Sequence, residues 1–515
     1  MVGFSAGASS AAIMKLLHLL LFWLVVTVAG RAEVTLAPLF QDHAVLQRDK
    51  VLPVWGRAAP GEHVAVAFMG QQVGVTAGAD GRWMVYLDPV PASTAPAELV
   101  VTGANTLTVR DVLVGEVWLA SGQSNMEWPV VKADDGAKEI AAANFPQLRL
   151  FTVPHQVASE PADTVAGSWQ ICTPDSVKTF SAVAYFSARD LQRKLGVPVG
   201  VIGTYWGGTP IESWMSAFAL RNAAAWPAIE ARWLKDSADF PAYKLRYPAE
   251  RAAWGKAEEH AKATHTKNPL TWPPPPMGPG TPFEPSGLFN GMIAPLQPYA
   301  LRGVLWYQGE QNWPHPEEYA VLFPAMIRQW RAGWGEGDFP FFFVQLANFT
   351  VVNDPTNRAW ARLREAQAGA LTLPETGMAV AIDIGNPKDI HPTNKQEVGR
   401  RLALLARTQV YGIPVDSHGP EFARATRDGA ALRVYFSHAA TGLIAYNRPV
   451  QSLEIAGADR KFYPATARID RGTLVVSAPE VKEPVAVRYA WTNSPVANLF
   501  NGTGLPAPPF RSDDW

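Results

Sequence analysis

The chain has 515 residues, enough for two or three domains and a large core. Its 45 Lys and Arg against 46 Asp and Glu give no electrostatic case for nucleic acid or an anionic membrane as partner. One cysteine, Cys172, excludes an intramolecular disulfide, and ten scattered histidines without zinc spacing imply no metal and no cofactor.

Residues 1–32 read as a signal peptide. Lys15 precedes an apolar run, Leu16 to Val28, that is shorter than the ~20 residues a membrane span needs. Gly30 and Ala32 then give small side chains at the spacing of a signal-peptidase site. This predicts export to the periplasm or outside the cell, with no membrane span in the mature chain.

Residues 33–112 read as a β module, with strands at His63–Phe68, Gln72–Thr76 and Arg82–Leu87. From 113 strands alternate with helices. The strands are Glu116–Ala120, Leu148–Val153, Val199–Thr204, Val304–Gln308, Phe341–Leu346 and Met378–Asp383. The helices are Ser181–Leu195, Glu317–Trp334, Arg358–Leu371 and Asn394–Tyr411, the last with a capping box of Thr393 and Gln396. The alternation predicts an α/β core with a mostly parallel sheet covered on both faces, in two parts, 113–219 and 286–412. Residues 220–285 interrupt it as an insertion, helical at first, then a loop carrying Pro273 to Pro276 that could shape the rim of a cleft. Residues 413–515 return to β, with a hairpin turn at Asp470-Arg471-Gly472.

Chemistry concentrates at the predicted strand ends. Gly122-Gln123-Ser124-Asn125-Met126 follows a buried strand, which exposes the Ser124 hydroxyl at the carboxyl edge of a sheet. The sequence lacks the Gly-x-Ser-x-Gly elbow, because position 126 is methionine. His391 lies on the same edge, before the last core helix, and is the best base for that serine. Gly207-Gly208 after another strand can aim backbone N–H groups at an oxyanion. The Gln308 carboxamide is a further donor, and Glu310 is an acid/base, a salt-bridge partner or a loop organiser. Cys172 has no His nearby in sequence and reads as a small buried hydrophobe.

Five separated blocks resemble, in order, the sialate O-acetylesterase family of SGNH-type hydrolases. They are Gly122 to Met126, Trp206 to Trp214, Phe289 to Leu296, Trp306 to Glu310, and Ile390-His391-Pro392. The resemblance implies a flavodoxin-like three-layer core flanked by β-sandwich-like modules, and a serine-dependent, metal-free hydrolysis of O-acetyl groups on sugars. It carries the nucleophile to Ser124 and the general base to His391. The oxyanion hole falls to the Ser124 N–H, Gly207 or Gly208, and Gln308 where the superfamily has Asn. The superfamily pattern Asp-x-x-His is not met, since Lys388 stands three before His391. Asp389 is favoured as the third member, with Asp383 and Glu310 as alternatives, or a backbone carbonyl in a dyad.

Among the nineteen Trp, Trp128, Trp206, Trp214 and Trp313 stand in or beside these blocks as candidates to stack on pyranose rings. Arg358, with Arg362, is a candidate for a sialate carboxylate. The partner expected is an O-acetylated carbohydrate, either O-acetyl sialic acid or an acetylated plant hemicellulose such as xylan or xyloglucan. Two other classes compete: a glycosidase pairing Glu310 with an Asp, and a non-catalytic sugar-binding protein.

Overall fold

The computed structural model describes residues 1–3, 33–351 and 353–515. The predicted signal peptide, beyond its first three residues, lies outside them. Among the described residues no helix is long and apolar enough to cross a membrane.

A large mixed sheet organises the molecule. Its central strand, Thr106–Gly122, pairs in parallel with Val199–Tyr205 on one side and Gly303–Tyr307 on the other. Phe145–Thr152 extends the sheet beyond Val199–Tyr205, and Phe341–Gln345 then Thr376–Val380 extend it the other way, all in parallel. Trp169–Cys172 closes one edge in antiparallel register. Every residue of Val199–Tyr205, Gly303–Tyr307 and Phe341–Gln345 is buried, which requires cover on both faces.

Two neighbours show where that cover comes from. Trp306 packs edge-on to Trp330 of the helix Pro316–Trp334, while Tyr307 faces Lys395 of the helix Lys395–Gln409. Successive strand residues point to opposite faces. These two helices therefore lie on opposite sides of the sheet.

The central strand is unusually long because its first half belongs to an antiparallel arrangement. Ser93–Thr102 pairs with it there, and His63–Phe68 pairs in turn with Ser93–Thr102 and Gln71–Thr76. The strand itself thus runs on across position 112, although its pairing with Ser93–Thr102 shifts register on either side of Val112. Glu116 sits fully buried where the two halves meet. Arg48 at 2.5 Å and Arg302 at 2.7 Å bind its carboxylate from either side. Burial raises the carboxyl pKa, but Arg302 and then Arg48 outweigh it and hold the group below the usual range.

Within residues 220–285 one long helix, Trp226–Thr264, carries Pro241 and Pro248 inside it. No regular element follows until residue 287. After the core, the chain forms a seven-stranded sheet from Glu421–Asp428 to Phe510–Arg511. Arg364, fully buried, ties this sheet's loops to the core by donating to the carbonyls of Leu346, Ala347, Thr492 and Asn493. In the predicted hairpin Asp470 pairs with Thr473, and both turn residues, Arg471 and Gly472, take positive φ.

The capping box does not form. Asn394, not Thr393, caps the last core helix, accepting from the Glu397 N–H at 3.1 Å, and Gln396 instead donates to the Asp134 carbonyl. Asn caps as well as Thr or better, and starting one residue later leaves Gln396 free for a tertiary partner. Cys172 is buried, and burial pushes its thiol up to about 12, so no thiolate is available there.

Candidate active site

Gly122 ends the central strand with φ at 140°, and a Cβ there would lie 2.1 Å from the Tyr307 carbonyl oxygen. Only glycine allows the chain to turn this close to its neighbour. Ser124 follows as the first residue of the short helix Ser124–Glu127, half-buried, while Asn125 and Met126 are buried.

His391 reaches this serine from a loop that begins where Thr376–Val380 ends. Its Nε2 stands 2.9 Å from Ser124 Oγ. For Nε2 to accept the hydroxyl proton, the ring proton must sit on Nδ1, which lies 3.6 Å from Asp389 Oδ1. That separation is longer than a hydrogen bond. Asp389 Oδ1 instead accepts from the His391 backbone N–H at 2.9 Å, and its side chain is more than half exposed. Burial, then the charge of Lys395, lowers the His391 pKa from its ordinary value, with Asp389 pulling it up.

The two alternative acids are engaged elsewhere. Asp383 makes a two-pronged ion pair with Arg401, at 2.6 and 2.7 Å. Glu310 is buried and accepts from Asn125 Nδ2 at 2.5 Å. Burial raises its pKa, against the Asn125 hydrogen bond. A carboxyl turned inward this way does not face a glycosidic bond.

Gly207 lies directly against the nucleophile: a Cβ on it would be 3.2 Å from Ser124 Cβ. Its N–H, however, donates to Glu127 Oε2 at 2.6 Å. The expected Gly207 oxyanion donor is thus already taken by a carboxylate that also faces His155. Gln308 is likewise committed. Its fully buried amide nitrogen donates to the Thr209 carbonyl at 3.1 Å and to Asn312 Oδ1 at 2.7 Å, spending both protons. It thereby holds Thr209, the residue after the glycine turn. Among the described residues, the Ser124 and Gly208 N–H groups have no hydrogen-bond partner.

The tryptophans divide. Trp214 is wholly buried, edge-on to Trp306, with its N–H on Thr209 Oγ1 at 3.0 Å, so it is core and not a sugar platform. Trp128 stacks on His391 at 5.1 Å, which occupies one face of its ring. Trp206 stacks flat on His155 at 4.1 Å, and it and Trp313 are only half-buried. Arg358 does not face the site. It pairs with Glu454 of the C-terminal sheet and the Trp491 carbonyl, and Arg362 pairs with Glu317.

Sequence reasoning missed the residues beneath the pair. Lys395 is fully buried, 2.5 Å from Asn125 Oδ1 and over the rings of Tyr307 and Trp128. Burial pushes its ammonium down to about 7, against Glu310 and then Asp389. A lysine at the first turn of an amphipathic helix reads as solvated. The signal against that reading was its place four residues after His391.

Comparison with known proteins places the chain among the carbohydrate esterases. A family model described as carbohydrate esterase, sialic acid-specific acetylesterase, matches residues 281–407. The rat (Rattus norvegicus) sialate O-acetylesterase is 31% identical, over 92% of this chain and 94% of the relative. The human (Homo sapiens) one is 29% identical, over 92% and 91%. A crystal structure of a carbohydrate acetylesterase from Xanthomonas citri is 42% identical with a TM-score of 0.80, covering 94% of this chain and all of that one. The chain belongs to the sialate O-acetylesterase family.

Proposed function

We propose that this O-acetyl sugar esterase works through Ser124 and His391 on an SGNH-type, flavodoxin-like core. The observation that carries the proposal is the 2.9 Å between His391 Nε2 and Ser124 Oγ at the carboxyl end of the central strand. His391 takes the Ser124 proton as Oγ attacks the acetyl carbonyl carbon. The tetrahedral oxyanion rests on the Ser124 and Gly208 N–H groups. The intermediate collapses as His391 passes that proton to the leaving sugar oxygen. Water then gives a proton to His391 and attacks the acetyl-serine, and return of that proton to Oγ frees acetate. Asp389, the carboxylate beside Nδ1, steadies the imidazolium electrostatically.

Within acetylated sugars, a hemicellulose or its oligosaccharides fits better than a sialic acid. The arginines expected to hold a sialate carboxylate are tied to Glu454 and Glu317, and the half-buried Trp206 and Trp313 suit neutral pyranose faces. Residues 220–285 form an insertion, 33–112 and 413–515 flanking β modules, and 1–32 a leader for export. The test is acetate release across acetylated xylan, acetylated xyloglucan and O-acetyl sialic acids, with Ser124→Ala alongside. The variant should fold and release no acetate. Wild-type rates from it would refute the serine mechanism, and release from the sialic acids alone would refute the substrate class.

A further inference from the structure

The register between Ser124 and His391 has to be held by something, and the Asp389 carboxylate is poorly suited to it. It is largely solvated and 3.6 Å from the ring nitrogen. The stronger grip is on the backbone. Asn125, next to the nucleophile, donates from Nδ2 to the carbonyl of Ile390 at 2.9 Å. The N–H on the other edge of that same Ile390–His391 peptide unit is held by Asp389 at 2.9 Å. One peptide plane is thus fixed on both edges, the inner edge by a residue 1% exposed.

The Asn125 amide cannot turn over. Its Oδ1 accepts from Lys395 Nζ at 2.5 Å, which leaves the Nδ2 protons for partners that only accept. Its Nδ2 meets two acceptors, Glu310 Oε1 and the Ile390 carbonyl. Lys395 and Glu310 are 0% and 4% exposed, so water cannot compete for these bonds. The three residues come from the nucleophile helix, the short helical turn Glu310–Asn312 that follows Gly303–Tyr307, and the start of the last core helix.

We propose that Asn125, its amide oriented by Lys395 and Glu310, is the positioning residue that keeps His391 in register with Ser124, in place of a carboxylate on the imidazole. The proposal rests on the Ser124–His391 reading above. It ranks the residues: the inner clamp matters more to turnover than Asp389.

Asn125→Asp, Lys395→Met and Asp389→Asn are compared for acetate release from one substrate, with Ser124→Ala and His391→Ala as controls. Asn125→Asp keeps the shape but cannot donate to Ile390. A misplacement near 1 Å costs about 10²-fold, so kcat should fall about that much with KM within about twofold. Lys395→Met frees the amide to turn and should lose about tenfold in kcat. Asp389→Asn should lose less than either. Activity in the two controls would sink the Ser–His reading itself. With both controls inactive, an Asn125→Asp kcat near wild type, or a larger loss from Asp389→Asn, overturns the clamp. If Asn125→Asp does not fold, Lys395→Met decides by the same comparison.

Discussion

Trp128 lies nearly parallel to the imidazole of His391, with ring centroids 5.1 Å apart and planes 20° from coincidence. The indole forms one wall of the slot in which the base sits, and the ammonium of Lys132 lies 5.4 Å from the same ring. Trp128→Ala would open that slot to water and let the ring swing. The expected result is a kcat loss of about tenfold or more from misorientation. The acid limb of the rate profile should also move to higher pH, because burial is the largest influence lowering the His391 pKa. Trp128→Phe should retain most of the rate. A Trp128→Ala enzyme that changes only KM would mean that the indole serves the sugar and not the base.

Much of this was legible in the sequence because burial writes itself into spacing. His63–Phe68 and Arg82–Leu87 occupy the residues predicted for them as strands. Ser124 and His391 were placed on one sheet edge by reading which side of each strand a loop must leave. What the sequence hid are side-chain partners across long separations. Asn125 stood in plain view beside the nucleophile, but its partners lie 185, 265 and 270 residues away. Gln308 carried a suitable group at a strand end and Trp214 a suitable ring in a motif block, and only the packing shows them facing Thr209 and Trp306. A residue type states what bonds it can make, not which neighbour will be there.

The pH dependence has a definite sign. His391 acts as a base only when neutral, so kcat/KM should fall as pH drops through its pKa. That pKa lies below the ordinary 6.5, through burial and then Lys395. Lys395, lowered to about 7, is charged over the range where the limb falls. Lys395→Met removes that like charge and should shift the limb to higher pH. Asp389→Asn removes the opposing carboxylate and should shift it lower. Limbs that move together, or in the reverse order, would show that these charges do not act on the base as described.

The two glycines of the turn should fail differently. Gly207→Ala places a methyl 3.1 Å from Glu127 Oε2 and 3.2 Å from Ser124 Cβ, so the nucleophile must give way. Its kcat should drop by about tenfold or more, with the melting temperature little changed. Gly208 has open space around it but φ at 75°. Gly208→Ala should therefore cost about 1–2 kcal/mol of stability. Equal rate losses in both, without any stability difference, would contradict this division.

Glu116 makes the prediction farthest from the chemistry. Its carboxylate binds both Arg48 and Arg302, at the point where the antiparallel and parallel halves of the central strand meet. Glu116→Gln keeps the shape and removes the charge. Breaking a buried ion pair from one side costs about 3–5 kcal/mol. The two arginines here keep partial exposure, 25% and 19% of their side chains, so the lower end is expected. Because the folded-state pKa is depressed, this contribution is present above the unfolded value of about 4.5 and is lost as pH falls through the folded one. Denaturant melts at pH 7 and at pH 3 should therefore show a wild-type advantage that narrows in acid. An advantage that stays constant with pH would mean that packing, not the charge of Glu116, holds the two halves of the sheet in line.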